Sequence, residues 1–290
     1  MIGARGCFVL LLLVLLAGAI VHMEEPTNGS LLSGGSLADR TLQQWKLPSK
    51  LREISGLALT PGGRLFAVDD EKAVIYEIDY VDGRLVKSFK LGKPVLKGDF
   101  EGIAYFDEHF FLVTSNGILY RFVEGRDGGR VEYEEIDTGL GERCEIEGLA
   151  QDIEGSRLLL VCKEMHDGDE DLAVFFWGLS DGHAGIDGQT TLPVVDILAK
   201  LGTKNLHPSG IAVNPLSGSI VMVAARQHAL IEMDRDGNLI SAIILPDTNR
   251  HKQSEGIEIS AADELIISDE GGKSRARLSV YSSRELKEQN

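Results

Sequence analysis

Short apolar segments separated by turn residues follow one another along most of the chain. In the first such unit, residues 56–59 and 65–68 are apolar, residues 73–79 alternate, and residues 85–91 follow an Asp-Gly turn. The same order recurs at 110–114, 117–122 and 131–137, and again at 220–224, 230–233 and 239–245. No window of about twelve residues in this region has a convincing helical period. Each unit therefore predicts four short antiparallel strands, which is typical of a β-propeller blade.

A similar hexapeptide occurs once in each unit, as in E-I-S-G-L-A at 53–58 and E-I-E-G-L-A at 145–150. Its glycine recurs with spacings of 46, 46, 62 and 46 residues, at Gly56, Gly102, Gly148, Gly210 and Gly256. A regular period of this size indicates a propeller, solenoid or other repeat architecture. Five motifs predict five blades, and the sixteen extra residues of the long interval predict long loops on the third blade, at 165–171 and 178–189.

The last blade lacks a fourth strand of its own in the sequence. The expected position falls within residues 284–290, which are too polar to pack as a strand, whereas residues 41–48 resemble residues 85–92. A strand from the N-terminus would complete the last blade and cover the open edge of its sheet. The predicted fold is therefore an all-β, five-bladed β-propeller over residues 41–290, closed by an N-terminal strand.

The N-terminus carries a targeting pattern. After Arg5, residues 7–21 form an uncharged apolar run, shorter than the roughly 20 residues that a membrane-spanning helix needs, and Ala17-Gly18-Ala19 fits a signal-peptidase site. Residues 1–21 thus predict a hydrophobic helix that is either a cleaved signal peptide or an uncleaved membrane anchor. Residues 22–40 are rich in glycine and serine and predict a flexible linker. The propeller is expected on the exported side, in the periplasm, secreted, or held at the cell membrane by this segment alone.

The net charge of the chain limits the chemical classes of partner that it can be expected to bind. The chain has 45 acidic and 29 basic residues, a formal net charge of −16. A field of this sign repels phosphate backbones, so we expect no nucleic-acid partner. It suits metal cations and cationic ligands, and it also keeps a protein soluble.

Acidic side chains cluster at corresponding places in the blades. Side chains two apart on a strand share one face, so the residue before each motif glycine and the residue two positions earlier are expected around one mouth of the propeller axis. The end of each second strand lies at the same mouth. Carboxylate oxygens from several directions, without paired cysteines, suit Ca²⁺ rather than zinc. The candidate metal ligands are Asp70, Glu101, Glu147, Glu255 and Asp269. The alternative is that these acids hydrogen-bond neighbouring blades and hold the ring together.

The cysteines of the third blade give a weaker expectation. Cys144 precedes its first strand and Cys162 ends its second. The hairpin register expected from the sequence places Cys162 opposite a residue near Glu147, three positions from Cys144. That offset exceeds the Cα separation of about 4.4–6.8 Å found in disulfides, so the sequence predicts two unbridged cysteines unless the register differs.

The repeated E-I-x-G-L-A motif and the sequence G-R-L-F-A-V-D-D-E at 63–71, behind an N-terminal hydrophobic segment, resemble the SdiA-regulated (YjiK/CarP-like) bacterial β-propeller family. The resemblance covers about residues 41–290. It implies a five-bladed propeller, a calcium site, distant kinship to NHL-repeat and phytase-like propellers, and a location at the cell envelope. The fourth unit departs from the acidic pattern, with His207, Ser209 and Arg226, so any site is asymmetric.

Two functions remain open on the sequence. The first is a calcium-binding, non-catalytic propeller that acts as a sensor, scaffold or binding protein at the envelope, with no catalytic residue assigned. The second is a calcium-dependent hydrolase, such as a phytase-like phosphoesterase or a lactonase, in which His207 acts as a base and Arg226 and Lys163 hold an anion. Besides a divalent cation, a small anionic ligand or an envelope protein is the expected partner.

Overall fold

The computed structural model describes Leu31, residues 37–180 and residues 183–282. The predicted signal peptide or hydrophobic helix at 1–21, most of the predicted linker and the polar tail at 284–290 lie outside these residues. No helix within the described part is both long and apolar enough to cross a bilayer.

Nearly all regular structure in the described residues is β-strand. The strands are, in chain order, β1 (Thr41–Lys46), β2 (Ile54–Leu59), β3 (Leu65–Asp69), β4 (Val74–Asp79), β5 (Arg84–Leu91), β6 (Phe100–Phe106), β7 (His109–Thr114), β8 (Ile118–Phe122), β9 (Arg130–Val131), β10 (Glu134–Asp137), β11 (Cys144–Asp152), β12 (Arg157–Met165), β13 (Leu172–Ser180), β14 (His183–Leu192), β15 (Gly210–Val213), β16 (Ile220–Ala224), β17 (Ala229–Met233), β18 (Leu239–Ile244), β19 (Ser254–Ile259), β20 (Leu265–Asp269) and β21 (Arg277–Ser282). The helical elements are α1 (Val195–Leu201) and the 3₁₀ turns Leu37–Asp39, Ser49–Leu51 and Leu140–Glu142.

The strands form five sheets, each with four antiparallel blade strands, which confirms the five-bladed propeller. Blade 1 is β2-β3-β4-β5, blade 2 is β6-β7-β8-β10, blade 3 is β11-β12-β13-β14 and blade 4 is β15-β16-β17-β18. Blade 5 is β19-β20-β21 with β1 as its outer strand. Because β1 pairs antiparallel with β21, with Thr41 opposite Ser282 and Lys46 opposite Arg277, the predicted closure by the N-terminal strand is confirmed. Part of the segment predicted as the outer strand of blade 2 instead forms β9, which pairs parallel with β5 of blade 1.

The motif glycines allow the inner strands to approach one another around the axis. A Cβ at Gly56 would lie 2.7 Å from the Cα of Gly102, and one at Gly102 would lie 2.5 Å from the nitrogen of Leu149. The same close approach occurs at Gly210, whose Cβ would lie 2.5 Å from the carbonyl oxygen of Glu255, and at Gly256, 2.7 Å from that of Ser55. The repeat therefore records a steric requirement, since a side chain at these positions would push neighbouring blades apart.

The core is divided among the blade interfaces. The buried apolar side chains of the described residues form five clusters, one between each pair of adjacent blades, including the pair joined by closure. Between blades 1 and 2, for example, the rings of Phe66 and Phe110 meet edge to face with centroids 4.7 Å apart, and both side chains are fully buried. Burial of apolar surface between neighbouring sheets thus stabilises the ring as a whole.

The insertion in the third blade differs from the prediction. Residues 178–189, expected as a loop, belong to the long hairpin of β13 and β14, in which Leu172 pairs with Leu192 and Ser180 with His183. The remaining extra residues form α1 and its connections, where Ile197 is buried against blade 4. The predicted loop at 178–189 was wrong because glycines in a segment of alternating side chains were read as turns. The predicted loop at 165–171 is confirmed, since residues 166–171 connect β12 to β13.

Cys144 and Cys162 form a disulfide with their Cα atoms 5.8 Å apart, so the prediction of two unbridged cysteines was wrong. An irregularity between Glu145 and Ile146 places Cys162 opposite Ile146. Cys162 is therefore two positions from Cys144, not three, and an extra residue of β12 bends the hairpin locally. Both cysteines are buried.

The described part of the predicted linker packs against the propeller. Leu31 and Leu37 are buried in the cluster between blades 4 and 5. The Leu31 amide donates to the fully buried Glu232 (3.1 Å), and Arg40 forms an ion pair with Asp263 (2.7 Å). Asp263 lies in the turn after β19, at the end farthest from the motif acids. The chain therefore reaches the propeller on the face opposite the predicted mouth.

Candidate functional site

The five side chains that precede the motif glycines line a single pocket on the propeller axis. This axial pocket has a volume of about 510 Å³ and contains all of Ser55, Glu101, Glu147, Ser209 and Glu255. The convergence follows from the repeat, because each residue holds the same position on an inner strand and inner strands surround the axis. The three glutamates predicted from the sequence are therefore brought together.

A second group of side chains comes from the ends of the second strands. Asp70, Ala225 and Glu270 follow β3, β16 and β20 directly, Lys163 lies near the end of β12, and all four line the axial pocket. Asp70 was among the predicted metal ligands, whereas Asp269 was chosen in place of its neighbour Glu270. The sequence did contain the signal, since aligning Leu65 with Leu265 makes Glu270 the equivalent of Asp70.

Asp269 does not line the axial pocket. It is the equivalent of Asp69, the last residue of its strand, and its carboxylate is buried in a hydrogen-bond network within blade 5. Asp269 lies 2.9 Å from Nδ1 of His251 and accepts a hydrogen bond from the Ser254 hydroxyl (2.9 Å), while Nε2 of His251 lies 2.6 Å from the Tyr281 hydroxyl. The network links three strands and the preceding loop. Asp269 therefore holds blade 5 together and does not face the axial pocket.

Burial and like charge shape the electrostatics of the glutamates. Burial, reinforced by the neighbouring carboxylates of Glu147, Asp99 and Glu255, raises the pKa of Glu101 to about 9. Burial and the nearby Glu147 raise the pKa of Glu255 to about 8. The pocket thus disfavours several uncompensated negative charges, and a bound cation would relieve this cost.

Lys163 is the cation inside this acidic group. Its ammonium donates to Glu145 (3.0 Å) and also contacts Glu147. Burial raises the pKa of Glu147 even though the hydrogen bond and charge of Lys163 act to lower it. The lysine therefore neutralises one side of the pocket, and among the described residues no cation forms an ion pair with Glu101 or Glu255.

Two polar atoms at the pocket are buried without a hydrogen-bond partner among the described residues. They are Oδ1 of Asp70 and Nδ1 of His207. Arg226 and Lys252 also line the pocket, on the side of blades 4 and 5. As placed, no three His, Cys, Asp or Glu side chains in the described ranges are arranged to hold a metal ion.

Two polar side chains contact another blade at the end of the inner strands that lies away from the axial pocket. At the position where four blades have alanine, blade 5 has Glu258, whose carboxylate accepts hydrogen bonds from the amides of Leu59 (3.0 Å) and Ile259 (3.2 Å). Gln151 of blade 3 donates to the carbonyl of Leu59 (2.9 Å). Side chains from two other blades therefore satisfy both backbone groups of Leu59, and they tie blade 1 to the rest of the ring.

Glu258 should make the stability of the protein depend on pH. Burial raises its pKa from 4.5 to about 8, so the folded state keeps the proton between these values while the unfolded state loses it. The free energy of unfolding then falls as the pH rises through this window, by about 1.4 kcal/mol per pH unit. We expect Glu258→Gln to reduce the overall slope by this amount, a difference of about 2 kcal/mol between pH 6 and 7.5, measured by urea unfolding in EDTA.

The exposed Glu135→Gln variant, on β10, makes the same chemical change without burial and serves as the control. It should unfold with the pH dependence of the unmodified protein. An unchanged slope in Glu258→Gln would show that the buried carboxyl does not retain its proton.

Comparisons with known proteins agree with this architecture. The model of the family described as SdiA-regulated matches residues 196–289, which cover α1, blade 4 and the three chain-terminal strands of blade 5. This match confirms the resemblance drawn from the repeated motif. No curated protein sequence matches the chain.

Solved structures show the fold over most of the chain. Glutaminyl cyclase from Myxococcus xanthus aligns with a TM-score of 0.55 and 15% identity, covering 83% of this chain and 96% of that one. Luciferin-regenerating enzyme aligns with a TM-score of 0.54 and 11% identity, covering 85% and 96%. The PQQ-bound aldose sugar dehydrogenase from Streptomyces coelicolor gives 0.50 and 15%, covering 83% and 98%. At these identities the similarity concerns the propeller fold alone.

Proposed function

We propose that the protein is an exported, calcium-binding β-propeller that acts as a sensor or scaffold at the cell envelope. The observation that carries the proposal is the convergence of Glu101, Glu147 and Glu255, from three different blades, in one axial pocket. Carboxylates held together in a buried site need a cation or protons to neutralise them. Asp70 and Glu270 add two more carboxylates to the same pocket.

The chemistry of the donors suits calcium. All the acidic side chains of the pocket offer oxygen, and Ca²⁺ accepts six to eight oxygen ligands in flexible geometry. Oδ1 of Asp70 is buried with no hydrogen-bond partner among the described residues, so an ion would give it one. Because no three of these side chains are yet arranged around a common point, binding requires the glutamates to turn toward one another and Glu147 to share or release Lys163.

One feature supports export, and a second bears on the orientation of the axial pocket. The buried disulfide between Cys144 and Cys162 is of the kind that persists in oxidising compartments. The N-terminal segment reaches the propeller on the face opposite the axial pocket, where Arg40 contacts Asp263. With the apolar residues 7–21 as an anchor, the pocket faces away from the membrane and is open to ions and ligands of the exported side.

Calcium should stabilise the folded protein. A ligand at one hundred times its dissociation constant adds about 2.7 kcal/mol, so millimolar Ca²⁺ should raise Tm by about 5 °C or more relative to EDTA, measured by scanning calorimetry. Mg²⁺, which demands a stricter octahedral shell, should raise it less. Glu255→Gln should lose most of the calcium response, because it removes a charged ligand from the pocket.

Glu164→Gln is the matched control, since Glu164 is an exposed acid next to Lys163 on the same strand but does not line the axial pocket. It should respond to calcium like the unmodified protein. An absence of any calcium effect on Tm, or an equal loss of response in both variants, would refute a calcium site on the axis.

A calcium-dependent hydrolase ranks second as a proposal. In its favour, His207 lies in the axial pocket with Nδ1 buried and unpartnered among the described residues. Against it, the neighbouring Ser209 is held structurally: its hydroxyl donates to the carbonyl of Ser254 (2.7 Å) and accepts from the amide of Ala225 (3.0 Å). This serine joins blades 4 and 5 and is not free to act as a nucleophile.

A further inference from the structure

The turn between β20 and β21 carries an unusual number of basic residues for this acidic chain. Lys273 and Arg275 lie in the turn and Arg277 begins the following strand. The corresponding turns of the other blades contain at most one lysine or arginine, and that of blade 3 is acidic (residues 166–171). The propeller fold therefore does not require these cations at this position.

The basic turn forms one wall of a second pocket beside the axial one. This pocket has a volume of about 340 Å³, and Arg250 and Lys252 from the segment before β19 form its other wall. The two pockets adjoin, because Lys252, Gln253 and Glu270 line both. Five basic side chains thus surround one concave site, which we call the blade 5 pocket.

Only some of the basic side chains of this pocket form hydrogen bonds or ion pairs with the described residues. Arg275 donates to the carbonyl of Leu47 (2.5 Å) and to that of Lys46 (2.9 Å), which fixes the turn to the end of β1. Arg250 pairs with Asp247 (2.6 Å). Within the described residues, no hydrogen bond or ion pair engages the ammonium groups of Lys252 and Lys273.

The acids of the pocket form no ion pair with these lysines in the described part of the chain. Asp269 is buried and directed to His251 and Ser254. Glu270 accepts a hydrogen bond from the Gln253 side chain. The side chains that face the cavity are therefore predominantly cationic, and the guanidinium groups add donors suited to oxyanions.

We propose that the blade 5 pocket binds a multivalent phosphate group, as a small anionic ligand of the propeller distinct from the axial cation. The turn between β20 and β21 and the segment before β19 meet to form it, and the end of β1 holds Arg275 of that turn in place. Lys252 and Lys273 supply the uncompensated charge. Arg277 supplies a further donor, since the one hydrogen bond of its side chain within the described residues is a 3.5 Å contact from Nη1 to the carbonyl of Asn249.

The test is a calorimetric titration of the purified protein with inorganic pyrophosphate in EDTA, so that the result does not depend on calcium. We expect saturable binding that weakens as ionic strength rises. The double variant Lys252→Gln/Lys273→Gln should bind at least tenfold more weakly. The control variant Lys90→Gln/Lys93→Gln loses the same charge at exposed positions of blade 1 and its following loop and should bind within twofold of the unmodified protein.

A second arm identifies the source of the phosphate. Phosphatidylglycerol vesicles are compared with phosphatidylcholine vesicles, and only binding that the Lys252→Gln/Lys273→Gln variant loses is assigned to this pocket, because the N-terminal segment can bind lipid by itself. If the double variant loses vesicle binding and the unmodified protein does not bind pyrophosphate, the ligand is a lipid headgroup. If the unmodified protein binds pyrophosphate and the double variant loses no vesicle binding, the ligand is a free phosphate. No binding to either probe, or equal effects of the two double variants, would overturn the proposal. Calcium stabilisation measured separately would stand in either case.

Discussion

Asp152→Ala is expected to destabilise the protein by about 3–5 kcal/mol, because it removes the shared anion of a buried ion-pair group. The Asp152 side chain is fully buried, accepts a hydrogen bond from Nε of Arg157 (2.9 Å) and contacts Arg235 across the interface of blades 3 and 4. Burial alone would raise the pKa of this carboxyl, but the hydrogen bonds from Arg235 and Arg157 outweigh it and hold the pKa below its ordinary value. Without the carboxylate, two partly buried guanidinium groups would repel each other. Urea unfolding measures the loss.

Glu154→Ala provides a control within the same turn. Its side chain is 84% exposed and lies 3.6 Å from the same Arg235, and exposed ion pairs of this kind contribute little. We expect a change within about 0.5 kcal/mol. Equal losses in the two variants would mean that the group at Asp152 is no stronger than a surface pair.

The fold could be predicted because the motif glycines recur where the inner strands leave no room for a side chain. Each motif glycine lies where inner strands approach within contact distance, so the spacing of these glycines counted the blades correctly. The closing strand could be predicted for a related reason. The sheet edge of the last blade needed a partner, and only residues 41–48 resembled an outer strand.

The sequence predicted correctly those pocket side chains whose direction is set by the geometry of the inner strands. The residue before each glycine lines the axial pocket in every blade, because the position on an inner strand fixes the direction of its side chain. At the ends of the second strands, the error of one position in blade 5 exchanged Glu270 for Asp269. Neighbouring strand residues point to opposite faces, so one position separates the pocket from a buried network with His251.

Other features depend on contacts that the local pattern does not contain. The disulfide needed the irregularity beside Glu145, which brings Cys162 within reach of Cys144. The blade 5 pocket needed the turn between β20 and β21 to lie beside the segment before β19, with the distant carbonyls at the end of β1 holding Arg275. Sequence periodicity places residues on faces of strands, but it does not place loops beside each other.

Gly102→Ala should lower the free energy of unfolding by about 3 kcal/mol, because it forces one methyl group between two closely packed inner strands. The new Cβ would lie 2.5 Å from the nitrogen of Leu149 and 2.7 Å from its Cβ, distances at which the backbone of one blade must move. A closed ring leaves little room for that movement, since displacing blade 2 from blade 3 strains every other interface, including the β1–β21 pairing. Overpacking of this kind is strongly destabilising, and Tm should fall by about 6 °C or more.

Gly185→Ala separates this steric effect from the general effect of replacing glycine in a strand. Gly185 lies on the outer strand β14, and a Cβ there would meet nothing within 4 Å. The substitution should leave the free energy of unfolding unchanged or slightly raised, because alanine restricts the unfolded chain. If Gly102→Ala unfolded at the same urea concentration as Gly185→Ala, the inner strands could separate without cost. The glycine repeat would then need an explanation other than the close approach of the blades around the axis.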